Sequence, residues 1–125
     1  MNNVDISGQI RLDEENNVIY ITFAGHIAKT EMTSILDQVT ALCRGSQSQI
    51  NALHDLTHVS HITIDAQILF AEHALSPTFR KHALVSADSR IQESIDIIIS
   101  IAEDRNDIMK VFTDEQMALD WLIST

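Results

Sequence analysis

The stretch Ser89-Arg90-Ile91-Gln92-Glu93-Ser94-Ile95-Asp96-Ile97-Ile98-Ile99-Ser100-Ile101-Ala102 decides the fold, because it reads two ways. Five isoleucines crowd between Ile95 and Ile101, and β-branched side chains suit a strand. Ile91, Ile95, Ile98 and Ala102, however, recur at the spacing of one helical face. Ser89 followed by Gln92 forms the reciprocal pair that satisfies the first free amides of a helix. The length of the stretch also favours a helix over a strand. As a helix it lies between two apolar runs, one within His82 to Ala87 and the other from Ile108 to Phe112, and both suit strands.

The same alternation extends outward in both directions. Toward the end of the chain, Thr113 and Gln116 repeat the capping pair, and Phe112 and Met117 are spaced to staple the helix start. That last helix is predicted to run to about Ser124. Toward the beginning, Ile64, Ile68, Ala71 and Leu75 form an apolar helical stripe that starts from Thr63 and is stopped by Pro77. Gln49 to Leu56 reads as a strand. Before it, Thr30 is placed to cap a helix carrying Met32, Ile35, Leu36, Val39, Leu42 and Cys43 on one face, with Gly45 just past its end. The alternating Gly8 to Asp13 and the β-rich Val18 to Ala24, joined by the polar Glu14-Glu15-Asn16-Asn17, form an antiparallel hairpin. The predicted order is ββαβαβαβα. It describes an α/β domain over residues 1–125, with a mostly parallel sheet, one antiparallel edge strand and four helices.

Composition narrows the function classes. The 125 residues carry 18 acidic and 8 basic side chains, a formal charge of -10, which argues against nucleic acid as a partner. The acidity concentrates late: residues 93–125 hold 8 acidic and 2 basic side chains. Only 3 glycines are present, so a glycine-rich nucleotide loop is not expected. The single Cys43 cannot form an internal disulfide, no cationic start precedes an apolar run, and Ile97 to Ala102 is too short to span a bilayer. A cytoplasmic, globular protein is expected.

The element order resembles the STAS domain of anti-sigma-factor antagonists. Asp55-Leu56-Thr57-His58-Val59 is similar to the strand that STAS domains place before their regulatory helix. The tail Val111-Phe112-Thr113-Asp114-Glu115-Gln116-Met117-Ala118-Leu119-Asp120-Trp121-Leu122 resembles the closing segment of the SpoIIAA-like (STAS/SEC14-like) family of small bacterial proteins, and Lys81-His82-Ala83-Leu84-Val85 fits the same family. The resemblance implies a STAS-type fold and a regulatory, protein-interaction role. Regulated antagonists carry Ser or Thr at the start of the helix after the third strand, usually beside Gly. Aligned from Asp55, that position falls at Ile64 or Asp65, with Ser60 and Thr63 only as neighbours, so the phosphoswitch is in doubt. Asp65 either mimics the charged state permanently or simply stabilises a helix start, which the helix dipole favours.

Candidate sites are few. His54, His58 and His61, with Asp88 after the fourth strand, are expected to gather at the carboxyl ends of the strands, where open α/β sheets bind ligands. Metal is not expected, because neither Cys-x-x-Cys nor His-Glu-x-x-His occurs. No nucleophile sits beside a base in a recognisable turn, so the chain reads as a non-enzyme without a cofactor. Leu69 and Phe70 on the second helix, and Ile97 and Ile101 on the third, fall off the apolar stripes. They suggest either a face that docks a partner protein or a second copy, or a cleft for an apolar small molecule.

Overall fold

The computed structural model describes residues 8–102 and 107–124. Its elements are β1 (Gly8–Asp13), β2 (Val18–Ile27), α1 (Lys29–Cys43), β3 (Ile50–Ile62), α2 (Ile64–Ala74), β4 (Phe79–Val85), α3 (Ser89–Ile101), β5 (Met109–Phe112) and α4 (Glu115–Ile123). The five strands form one sheet in chain order. β1 runs antiparallel to β2, with Ile10 opposite Ile21, and the remaining pairs are parallel. Asn17 closes the first hairpin in the left-handed region (φ 58°), and its amide donates to the Gln49 carbonyl, tying the turn to the start of β3.

The isoleucine-rich segment is the helix α3. Asp88, rather than Ser89, caps it by accepting from the Arg90 amide, while Gln92 reaches back to the Ser86 carbonyl. Ile91, Ile95 and Ile98 are buried.

Topology places the layers. From β2 to β5 every crossover steps the same way across the sheet, so right-handed connections put α1, α2 and α3 on one face. There they cover a core that includes Phe23, Ile35, Ile50, Leu84 and Ile95. After β5, α4 folds onto the opposite face, against β3 and β4. A second cluster gathers there around Leu53, Ala83, Phe112 and Leu122. Arg80 clamps α4 in place: its guanidinium donates to Asn51 Oδ1 (3.1 Å) and to the carbonyls of Leu122 and Ser124 (2.8 Å each). Lys81 donates to the Trp121 carbonyl at 2.9 Å and lies over the indole. Two cations therefore meet the carbonyl end of the helix, where its dipole favours them.

Several expectations need correction. β3 continues to Ile62, well beyond Val85 of β4, which pairs with Asp55. Irregularities after Thr22 and Gly25 break the alternation there, so this projecting ribbon hides from a period-2 reading. On α2 the buried face is Ala66, Gln67, Phe70, Ala71 and Ala74, while Ile64 and Ile68 are 59% and 42% exposed. Small residues let a helix lie close to the sheet, and a helix flanked by two others is not phased by hydrophobicity alone. Thr30 does not cap α1; Ala28 stands at that place, and its amide donates to Glu31. Leu42 is exposed. Asp114, not Thr113, caps α4, and Phe112 packs on Trp121 while Met117 stays exposed. Glu103, Asp104 and Arg105 in the acidic late region lie outside the described residues. Among the described residues no helix is long and apolar enough to cross a membrane.

Candidate functional site

The start of α2 is built by a short polar network. Thr63 caps the helix; its hydroxyl accepts from the Ala66 amide and donates to the Asp65 carboxylate. The Thr63 hydroxyl, the Ala66 amide and the Lys29 charge hold the Asp65 carboxyl below its usual range, so it stays ionised at neutral pH. The backbone amide of Thr63 donates to the Ile27 carbonyl, fixing the helix start to the end of β2. Ser60 lies exposed on the projecting end of β3. Thr63 and Asp65 thus meet at the helix terminus while Ser60 stays on the strand before it, and both positions expected to match the phosphorylated site, Ile64 and Asp65, stand in the helix's first turn. Thr63→Ala is expected to destabilise the fold by about 1 kcal/mol in a urea titration, as loss of a threonine cap does.

Beside this terminus runs an apolar seam. The Gln67 amide donates to the Ser94 hydroxyl (3.4 Å) and to the Ile62 carbonyl (2.8 Å), which marks the flanks of α2 and α3 that face each other. By helical spacing, Ile64 and Ile68 fall on that flank of α2, and Ile97 and Ile101 on that flank of α3. Ile97 and Ile101 are 43% and 39% exposed. Asp65, Glu72, Glu93 and Asp96 on the same helices are exposed acids, whereas Arg90 is already paired with Asp88 at 3.1 Å. Of the four residues expected to line a cleft, Ile97 and Ile101 lie on this seam. Leu69 is half-buried, and Phe70 turns inward between Phe23 and His54.

The expected strand-end cluster is dispersed. His54 is buried beneath α2, His58 and His61 are exposed on the ribbon, and Asp88 is occupied as the α3 cap. His61 stacks instead on His26 of β2, with ring centroids 5.2 Å apart. His54 stacks on His82, with His54 Nε2 and His82 Nδ1 3.0 Å apart. Sequence reading missed this second pair because His82 counted only as a strand residue. The available signal was a histidine heading the run Ala83-Leu84-Val85, all of which is buried. Among the described residues no group of three His, Cys, Asp or Glu side chains could hold a metal ion.

At the opposite end of the sheet, a cavity of about 210 Å³ is bordered by Thr40, Cys43, His73 and Phe79. Burial raises the Cys43 thiol pKa and lowers that of His73, so neither a thiolate nor an imidazolium is favoured there.

With this geometry in view, solved structures provide the comparison. An uncharacterized protein with a SpoIIAA-like fold from Shewanella loihica superposes with a TM-score of 0.67 at 17% identity, covering 98% of each chain. An anti-sigma factor antagonist from Mycobacterium paratuberculosis gives 0.68 at 12% identity, over 98% of this chain and 100% of that one. The anti-sigma factor antagonist SpoIIAA in its unphosphorylated form gives 0.60 at 11% identity, over 91% and 94%. Identities this low establish a shared fold. No curated protein matches the chain. A family model described as SpoIIAA-like matches residues 18–123, from the start of β2 to the end of α4, and the chain therefore belongs to the SpoIIAA-like family.

Proposed function

We propose that this protein is a non-catalytic regulatory module of STAS type that docks a partner protein across the α2–α3 seam. The observation that carries the reading is the exposure of Ile64, Ile68, Ile97 and Ile101 on facing flanks of neighbouring helices, among exposed acids. An apolar anchor desolvates there, and the acidic surround selects a partner rimmed by lysine or arginine. The similarity of fold to anti-sigma factor antagonists supports a protein as the occupant. The reading needs no phosphorylation: Asp65 already supplies a fixed negative charge at the helix start, and the Thr63 hydroxyl is engaged as donor and as acceptor. A lipophilic small molecule is less well supported, because Phe70 fills the core instead of lining a cleft.

Ile97→Asp tests the proposal. The side chain is exposed, so stability should change by no more than about 0.5 kcal/mol. Affinity for a partner captured from the source cell and then purified should fall at least about tenfold. Binding by the unaltered protein should weaken at high salt. Equal affinity of the variant would overturn the seam as the docking surface. A native mass spectrum showing a bound lipid mass, or a dimer abolished by Ile97→Asp, would instead assign the seam to a ligand or to a second copy.

A further inference from the structure

The projecting end of the β2–β3 ribbon carries an exposed pair of rings, His26 on β2 and His61 on β3. Their centroids lie 5.2 Å apart and their planes differ by 26°. Even spacing along the two strands would not bring them together. Gly25 stands opposite Val59, yet His26 stands opposite His61, so β3 carries Ser60 as an extra residue at this point. Without that irregularity Ser60 would face His26. Gly25 takes a left-handed conformation (φ 77°), which a residue with a Cβ adopts only under strain. Irregularities of this kind re-aim a side chain out of the regular ladder.

The backbone beneath the rings is fixed. The next residues on the two strands, Ile27 and Ile62, pair in register and are buried. The Thr63 amide then closes the ribbon by donating to the Ile27 carbonyl at 3.0 Å. The rings themselves are not consumed by the fold: among the described residues no hydrogen bond or ion pair engages either of them. A neutral imidazole keeps one bare nitrogen with a lone pair, so the pair presents two nitrogen donors on adjacent strands.

The spacing of the rings matches a bis-imidazole metal site. With a zinc–nitrogen bond of about 2.0 Å and a nitrogen about 1.1 Å from its ring centre, a tetrahedral ion holds two imidazole centroids about 5.1 Å apart. The observed separation is 5.2 Å. We propose that His26 and His61 chelate one divalent transition-metal ion of the zinc type. Imidazole donors select zinc, nickel and copper over magnesium and calcium, which prefer oxygen. Among the described residues no third His, Cys, Asp or Glu completes the set, so the site is open, and water or a donor from another molecule takes the remaining positions. The formal charge of -10 favours a cation at this surface. The zinc spacings sought in the sequence lie within one short segment, whereas these two donors meet only through strand pairing. The site does not depend on the α2–α3 seam being the docking surface.

Isothermal titration of the full chain with zinc chloride, in a buffer that does not bind zinc, tests the chelate. One ion per chain is expected. His26→Ala and His61→Ala should each weaken binding at least about tenfold, since even the groups that only orient a ligand are worth that much. In the double variant the second substitution should cost less than the first, because the chelate is already broken. Equal, additive losses would mean two independent imidazoles and overturn the proposal, as would unchanged affinity in either single variant. His58 is the control: it is exposed on the same ribbon, opposite Ala24. His58→Ala should leave binding unchanged, and a loss equal to that of His26→Ala would show an adventitious ion only. Zinc retained at full affinity by every variant would place the ion elsewhere and overturn the pair's role. Imidazole nitrogen spectra of the unaltered protein give a readout that needs no variant to fold. On adding zinc, His26 and His61 should shift together on one saturation curve, ahead of His58. Separate curves, or His58 moving with them, would refute the chelate.

Discussion

Phe70→Ala is expected to lower the free energy of unfolding by about 3–5 kcal/mol, the range for truncating a buried phenylalanine. The ring is 3% exposed, edge-on to His54 with centroids 4.7 Å apart, and 6.3 Å from the ring of Phe23. Its loss removes apolar contact and leaves a void under the middle of α2, where helix, β2 and β3 meet. Urea unfolding followed by circular dichroism measures the effect. The experiment also separates two descriptions of the residue. A side chain lining an open cleft would cost within about 0.5 kcal/mol, as surface substitutions do. A loss that small would remove Phe70 from the core and restore the cleft.

Arg80→Ala is expected to cost about 2–3 kcal/mol, through charge-assisted hydrogen bonds that are half-buried. One guanidinium holds Asn51 of β3 and the carbonyls of Leu122 and Ser124 at the end of α4. Lysine cannot reproduce that planar fork, so Arg80→Lys should recover only part of the loss. Trp121 is the single tryptophan and packs on Phe112 beside Lys81, so its fluorescence reports the seating of α4. A red-shifted emission before global unfolding is the expected signature. Unchanged emission and stability would show that apolar packing alone secures the helix.

Much of this fold was legible from residue spacing. The hairpin β1–β2, the alternation of strands and helices, and the helical reading of Ser89 to Ile101 follow from periodicity and capping side chains, which act over a few residues. Helix starts were legible only to within a residue or two, since Ala28, Asp88 and Asp114 stand where Thr30, Ser89 and Thr113 were expected. The end of β3 was not legible, because Leu56, Val59 and Ile62 are buried at intervals of three rather than two.

The site was less legible than the fold. The exposure of Ile97 and Ile101 was legible because they depart from a clear stripe. Ile64 and Ile68 were assigned to the core because isoleucines ordinarily mark it, yet Ala66, Phe70 and Ala74 occupy that place. Local sequence by itself determined which segments are strands and helices, because hydrogen bonding within a helix or hairpin and side-chain alternation are short-range. Only the tertiary structure decided which side of α2 faces the sheet, which histidines stack on one another, and what the Arg80-Lys81 pair holds. Those outcomes depend on residues such as 54 and 82, or 80 and 122, which meet only when the crossovers bring their strands and helices together.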